Sequence, residues 1–149
     1  MASVQISKEE MLKRVARFKE LKPIDYKAMG MGYVPEGVQG FSIIGQVAKG
    51  IEPSIAGDHG FITACVKANP GKGSPLHSHK TVEVFVPLSG KWVFFWGEGG
   101  KDETTLEPGD TVSFPPGVMH GFRNLASEDA CLLAMLGGSG PAIEVEYES

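Results

Sequence analysis

The chain has 149 residues, of which 42% are hydrophobic, with a net charge of −4 and an isoelectric point near 5.6. This length and composition suffice for one domain with a substantial core. The net negative charge gives no basic footprint, and only three arginines occur, Arg14, Arg17 and Arg123, so nucleic acid is not expected as a partner. We expect a single domain that does not bind nucleic acid.

The N-terminal residues 1–8 lack the apolar core of a signal peptide, and no apolar run approaches membrane-spanning length. We therefore expect a cytoplasmic protein without a membrane partner. Cys65 and Cys131 each lie in an apolar, strand-like run, and two cysteines do not make a disulfide framework. Both are predicted to be buried free thiols.

The first predicted element is a helix. Ser7-Lys8-Glu9-Glu10 is typical of a capping box, and apolar residues follow at spacings of three and four up to Leu21, before Pro23. The pattern predicts an amphipathic helix of about four turns. Its apolar stripe is expected to pack on the rest of the domain or on a partner subunit. This stripe contains Met11, Leu12, Val15, Phe18 and Leu21. Residues 25–40 are interpreted as an irregular connector.

From Phe41 onward, short strand-like runs alternate with glycine and proline turns, which favours an antiparallel all-β barrel or sandwich. Ser89-Gly90 is predicted to form a tight hairpin between two of these runs, and Glu107-Pro108-Gly109-Asp110 to form another turn. The predicted strands are 41–48, 61–68, 82–88, 91–96, 111–114, 121–124 and 130–136.

Three histidines and one glutamate suggest a metal site. Side chains two residues apart on a strand share a face, so His77 and His79 can present their imidazoles to one ion. Glu83 lies in the apolar run 82–88, where an unpaired carboxylate is costly. His120 comes from a later strand. Three neutral imidazoles and a carboxylate suit a divalent first-row ion, with one or two positions left for water, substrate or dioxygen.

Both segments around these residues resemble the two motifs of the cupin family. Residues 91–108 form a short stretch between the motifs, as in small single-domain cupins of bacterial type, and the resemblance covers roughly residues 40–138. The two segments are Gly71-x5-His77-x-His79-x3-Glu83-x6-Gly90 and Gly109-x5-Pro115-x-Gly117-x2-His120-x3-Asn124.

The resemblance implies an all-β fold, a single cupin barrel of the double-stranded β-helix or jelly-roll type with an N-terminal α-helix. The helix and connector would occupy residues 1–39 and the barrel residues 40–149. It also implies one divalent ion, iron, manganese, nickel, copper or zinc, because the same ligands accept all five. The remaining histidine, His59, lies in a polar turn and is predicted to be a surface residue.

The substrate pocket is predicted to be apolar and largely aromatic. Phe85 shares the strand face of Glu83, and on the next strand either Trp92, Phe94 and Trp96 or the two residues between them face inward. The candidate pocket residues are Phe85, Trp92, Phe94, Trp96 and Asn124. The alternative interpretation of this aromatic stripe is ordinary barrel core or a dimer interface.

Three residues within the two motif segments narrow the range of expected reactions. Arg123 has the opposite strand parity from His120 and Asn124, so no guanidinium is expected to pair with a phosphate or dicarboxylate in the pocket. Glu83 disfavours the thiol dioxygenases and diketone-cleaving enzymes of the family, which typically use three histidines without this ligand. Phe85 lies where cupin lyases acting on dimethylsulfoniopropionate carry a tyrosine.

Among the activities of the family that are not disfavoured, the sequence most resembles the quercetinase-like dioxygenases. This resemblance implies an enzyme that acts on a small oxygenated aromatic or enolic substrate with dioxygen, with Glu83 as ligand and general base. A metal-dependent isomerase, cyclase or lyase and a non-catalytic small-molecule-binding cupin are the alternatives. A homodimer is expected in each case, because exposed strands and the N-terminal helix need apolar partners.

Overall fold

The computed structural model describes residues 2–27, 35–47, 50–138 and 145–147. Within these ranges the chain forms one short α-helix, two 3₁₀ turns and ten β-strands. The helix α1 is Lys8–Leu12 and the 3₁₀ turns are Phe18–Glu20 and Glu98–Gly100. The strands are β1 Val38–Ile44, β2 Phe61–Ala68, β3 Gly73–His79, β4 Glu83–Pro87, β5 Trp92–Trp96, β6 Asp102–Leu106, β7 Val112–Phe114, β8 His120–Asn124, β9 Ala130–Gly137 and β10 Val145–Tyr147.

The strands form two five-stranded sheets that enclose one core. Their orders are β1-β2-β9-β4-β7 and β10-β3-β8-β5-β6, and all paired strands run antiparallel. Apart from the consecutive pairs β1-β2 and β5-β6, neighbours in each sheet are not consecutive along the chain, which is the topology of a jelly roll. The predicted all-β jelly-roll fold is confirmed.

Strand alternation determines which side chains enter the core. In β4, Glu83, Phe85 and Pro87 are buried, whereas Val84 and Val86 between them are half-buried. Successive strand residues point to opposite faces, so every second residue enters the space between the sheets. The buried apolar cluster consists of Ala68, Phe85, Trp92, Phe94, Phe114, Phe122, Ala130, Leu132 and Ala134.

The predicted strand 61–68 has the bounds of β2, and most of the others end within one or two residues of the observed strands. The exception, predicted at 41–48, is β1 at Val38–Ile44, which ends before Gly45 at φ 72°. Three observed strands, β3, β6 and β10, have no counterpart among the predicted ranges, although His77 and His79 of β3 were expected to share a strand. The residues of β6 are mostly exposed and polar, so they lack the apolar alternation that indicates a strand.

The predicted Ser89-Gly90 hairpin is wrong. Strands β4 and β5 on either side of it belong to different sheets, and the turn carries the chain from one sheet to the other. Leu88 N and Ser89 N donate hydrogen bonds to Cys131 O in β9. Gly90 has φ 75°, and a Cβ there would lie 2.6 Å from Ala130 Cβ. Glycine is therefore required for the close crossing of the two layers.

The other predicted turn, at residues 107–110, is confirmed by two hydrogen bonds. Asp110 N donates to Glu107 O over 3.0 Å, and Glu107 N donates to Asp110 Oδ2 over 2.9 Å. The aspartate side chain thus closes the turn from its last position, as expected for a residue that accepts from nearby backbone amides.

The N-terminal helix is shorter than predicted. Ser7 Oγ accepts a hydrogen bond from Glu10 N over 3.1 Å, which confirms the predicted cap. The α-helix nevertheless ends at Leu12 rather than near Leu21, and none of its residues is buried. A short helix without a packed apolar face is marginal in water, so propensity and a cap alone do not extend it.

Both cysteines are free thiols, as predicted. Cys65 is buried, and burial raises the pKa of its thiol to about 11. Cys131 is half-buried rather than buried, because its side chain lies on the face of β9 opposite the core. Within the described ranges, no helix is both long and apolar enough to cross a membrane.

Candidate metal centre

The four predicted ligands come together from both sheets. Strand β3 carries His77 and His79 and pairs with β8, where His120 lies directly opposite His77. Glu83 begins β4 in the other sheet and points into the same interior. One sheet therefore supplies the three imidazoles and the other supplies the carboxylate.

The side-chain atoms converge on a single oxygen. The Nε2 atoms of His79, His120 and His77 lie 2.8, 3.1 and 3.9 Å from Glu83 Oε2. One donor atom from each of the four residues lies within 4.8 Å of the other three. All four side chains are at least nine-tenths buried. Four ligand atoms this close together match the first coordination sphere of one ion.

Backbone carbonyls orient two of the imidazoles. His77 Nδ1 donates to Pro75 O over 2.8 Å, and His120 Nδ1 donates to Val118 O over 2.8 Å. A carbonyl oxygen only accepts, so each Nδ1 carries the proton and each Nε2 faces Glu83. Metal-binding histidines commonly have this arrangement, because the outer hydrogen bond fixes the tautomer and the ring orientation.

The electrostatics of the site also suit a cation. Burial alone would raise the pKa of Glu83, but the imidazoles of His120, His79 and His77 around its carboxylate outweigh this effect and lower the pKa to about 2. Burial lowers the pKa of His77 to about 4. At neutral pH the cluster therefore contains a carboxylate beside a neutral imidazole, and this donor set fits a divalent first-row ion.

A cavity of about 160 Å³ lies beside His77 and Glu83. Its apolar wall includes Phe85 and Phe122, and its polar wall includes the hydroxyl-bearing residues Ser74, Tyr26 and Tyr147. The cluster at the base of the cavity and the mixed wall make this the candidate substrate site.

The structure brings only one of the five predicted pocket residues to this cavity. Phe85 lines it, whereas Trp92 and Phe94 are 0% exposed in the aromatic core. Trp96 is half-buried, with its ring 6.4 Å from Phe114. Of the two alternatives for β5, Trp92, Phe94 and Trp96 are therefore the residues that face inward. Their rings pack against other aromatic rings instead of lining the cavity.

Asn124, the fifth predicted pocket residue, hydrogen-bonds to the backbone around it. Its Nδ2 donates to Ala68 O over 3.0 Å and to Glu128 O over 2.9 Å, and its Oδ1 accepts from Ala126 N over 2.8 Å. The side chain is buried, and it ties β8 to the turn that follows and to the end of β2. These three hydrogen bonds give Asn124 a structural role in connecting segments of the backbone.

Arg123 and His59 both lie outside the four-residue cluster. Arg123 is exposed and lies over the ring of Phe95, 5.6 Å from its centroid, so its guanidinium points away from the core as strand parity predicted. His59 is half-buried in its turn, where its Nδ1 donates to Gly57 O over 3.1 Å. His59 is not part of the four-residue cluster.

Sequence reasoning missed the two tyrosines in the cavity wall. Tyr26 lies in the stretch interpreted as an irregular connector, and Tyr147 lies in the unpredicted strand β10. Neither tyrosine lies at a fixed spacing from the two metal motifs. Only contacts between segments that are distant in sequence bring them to the cavity. Parts of the chain outside the two motifs therefore supply the phenol groups of the cavity wall. The remaining tyrosine, Tyr33, lies outside the described residues.

Comparison with known proteins agrees with this fold. Residues 65–136 match the family model described as the cupin domain. No curated protein matches the sequence. The structure is similar to the polyketide cyclase RemF from Streptomyces resistomycificus, with a TM-score of 0.67 and 14% identity, covering 91% of this chain and 84% of that one.

Two further structures share the fold. KdgF from Halomonas sp. has a TM-score of 0.60 and 19% identity, covering 82% of this chain and 92% of that one. An oxalate oxidase has a TM-score of 0.61 and 21% identity over 76% of this chain, which spans 56% of the oxidase chain. Likeness at such identities shows the fold and leaves the reaction open. The family match and the jelly-roll structure together show that the chain carries a cupin domain.

Proposed function

We propose that this protein is a metal-dependent cupin enzyme that acts on a small oxygenated organic substrate, and that its reaction is a dioxygenation. The observation that carries the proposal is the convergence of three histidine Nε2 atoms on Glu83 Oε2 beside a cavity. A buried donor set at the base of an open cavity is typical of a site that binds both an ion and a substrate.

The four residues of the cluster would hold one divalent first-row ion, namely His77, His79, Glu83 and His120. When bound, the ion would supply Lewis acidity and, in the case of iron, manganese, nickel or copper, electron transfer. Glu83 was also predicted to be the general base. A carboxylate with a pKa of about 2 holds a proton weakly, so its electrostatics support ligation more strongly than proton abstraction.

The cavity beside the cluster offers about 160 Å³ to the reacting part of a substrate. This space accepts a compact enol or the reacting part of an aromatic ring. Phe85 and Phe122 would contact the apolar part of the substrate and keep water away from it.

A metal-dependent cyclase, isomerase or lyase is the second candidate function. The tyrosine hydroxyls in the cavity wall favour it, because they offer acid groups to a reaction that needs no oxidant. RemF, described as a polyketide cyclase, shares the fold over most of both chains. In such a reaction, zinc would serve as well as a redox-active ion.

The test is elemental analysis of protein purified without chelator, followed by oxygen-electrode measurements with compact enols and phenols. We expect near-stoichiometric iron, manganese, nickel or copper, with oxygen uptake that depends on substrate and is lost in His120→Ala. The control, His59→Ala, should behave as wild type. Zinc alone with no oxygen uptake would favour the second candidate, and failure to load any of the five ions would contradict a metal-dependent function.

A further inference from the structure

Tyr26 reaches the cavity because the N-terminal arm crosses β1 at a glycine. Ile24 N donates a hydrogen bond to Gly40 O over 2.8 Å, which attaches the arm to the strand. A Cβ on Gly40 would lie 2.2 Å from the hydroxyl oxygen of Tyr26. Any other residue at position 40 would therefore displace the phenol, so this glycine makes room for it.

Tyr147 reaches the cavity from the other end of the described chain. Strand β10 adds to the edge of β3, where Tyr147 lies opposite His77. The centroids of these two rings are 6.1 Å apart. The phenol therefore lies beside one of the predicted metal ligands.

Both tyrosines line the same cavity, and a tyrosine hydroxyl can donate a hydrogen bond as well as accept one. Burial raises the pKa of Tyr26, and the neighbouring Tyr147 raises it further, so the Tyr26 hydroxyl keeps its proton at physiological pH. Among the described residues that line the cavity, none is lysine or arginine. Neutral hydroxyls suit a carbonyl, enol or carboxylate oxygen, whereas phosphate recognition usually employs cationic side chains.

We propose that Tyr26 and Tyr147 hydrogen-bond to one oxygen atom of the substrate while a second oxygen of the same molecule reaches the metal centre. The substrate is then a compact molecule with two neighbouring oxygen functions, such as a 2-hydroxy acid, a hydroxyketone or the enol of a dicarbonyl. This inference rests on the proposed function, because the second oxygen requires the ion held by the four-residue cluster.

The experiment uses the full chain loaded with cobalt(II) and two probes, lactate and propionate, which differ by one hydroxyl group. The cobalt-to-chain ratio is measured first, and each probe is then titrated while the visible absorption of the cobalt is followed. Wild type is expected to bind lactate more tightly than propionate. Tyr26→Phe and Tyr147→Phe are each expected to weaken lactate binding about 3- to 10-fold with an unchanged cobalt ratio, the effect of losing one hydrogen bond.

Thr104→Val is the control, since it removes an exposed hydroxyl from β6 outside the cavity and should leave both affinities unchanged. A full cobalt ratio with lactate affinity within twofold of wild type in both tyrosine variants would overturn the role of the phenols. Equal affinity for the two probes in wild type would overturn the substrate class. A cobalt ratio far below one would overturn the proposed function, and this inference with it.

Discussion

The interior of the barrel has two halves that are built by the same strand alternation but stabilised by different forces. In the aromatic half, Trp92 and Phe94 have no exposed surface and pack against other rings. In the polar half, histidine nitrogens and a carboxylate are directed at one another over 2.8–3.9 Å. Apolar packing is non-directional, whereas ligation requires defined atoms in defined places.

The aromatic half also supports the polar half. The ring of Phe114 stacks on His120 with centroids 4.2 Å apart and an interplanar angle of 5°. Phe85 lies between the halves, 5.3 Å from the Phe94 ring and 6.0 Å from the His120 ring. Because apolar packing dominates in one half and ligation in the other, substitutions in the aromatic half should mainly lower the free energy of unfolding, and those in the polar half should mainly lower metal binding.

The largest expected effect is on metal binding in the polar half. His77→Ala or His120→Ala removes one of four ligands, so the affinity for the ion should fall at least about tenfold and the metal-to-chain ratio of the purified protein should fall with it. Elemental analysis measures the ratio, and His59→Ala is the control because His59 lies outside the cluster. Equal metal content in all three variants would show that the ion binds elsewhere.

The second-largest effect is expected on the free energy of unfolding, for a substitution in the aromatic half. Phe94→Ala leaves a cavity in a fully buried site and should cost about 3–5 kcal/mol of unfolding free energy. Urea denaturation measures this cost, with Leu88→Ala, at an exposed site, as the control. The folded fraction should retain the metal content of wild type. A loss below about 1 kcal/mol would contradict the view that this half stabilises the fold.

Asn124→Ala tests whether this residue belongs to the structure or to the substrate pocket. Loss of its hydrogen bonds leaves the buried Ala68 carbonyl without this donor and should cost about 1–3 kcal/mol. Urea denaturation should detect this loss, while the affinity of the cobalt-loaded protein for lactate remains that of wild type. Weaker lactate binding with unchanged stability would instead support the predicted pocket role.

The smallest effect is expected at the boundary between the halves. Phe85→Leu keeps an apolar side chain of similar size and should cost about 1–2 kcal/mol, with an unchanged metal-to-chain ratio. Unfolding curves and elemental analysis on the same preparation measure both quantities. If metal content fell while stability stayed the same, the two halves would be more tightly coupled than their contacts indicate.

Several features followed from the sequence by itself, because they depend on neighbours along the chain. Alternation in β4 determines that Glu83 and Phe85 point inward together. The Ser7 cap and the turn at residues 107–110 are each closed by a side chain within three residues of its partner. The motif spacing likewise predicted the four residues that the structure brings together.

Only the tertiary structure decided which distant segments meet. Residues Ser89 and Gly90 connect strands of two different sheets instead of forming a hairpin within one sheet. The inward aromatic residues of β5 lie in the core and not in the cavity. The tertiary structure also brought Tyr26 and Tyr147 from opposite ends of the described chain to one cavity. Pairing of β10 with β3 and the close crossing at Gly40 involve residues far apart in sequence, so no local pattern encodes them.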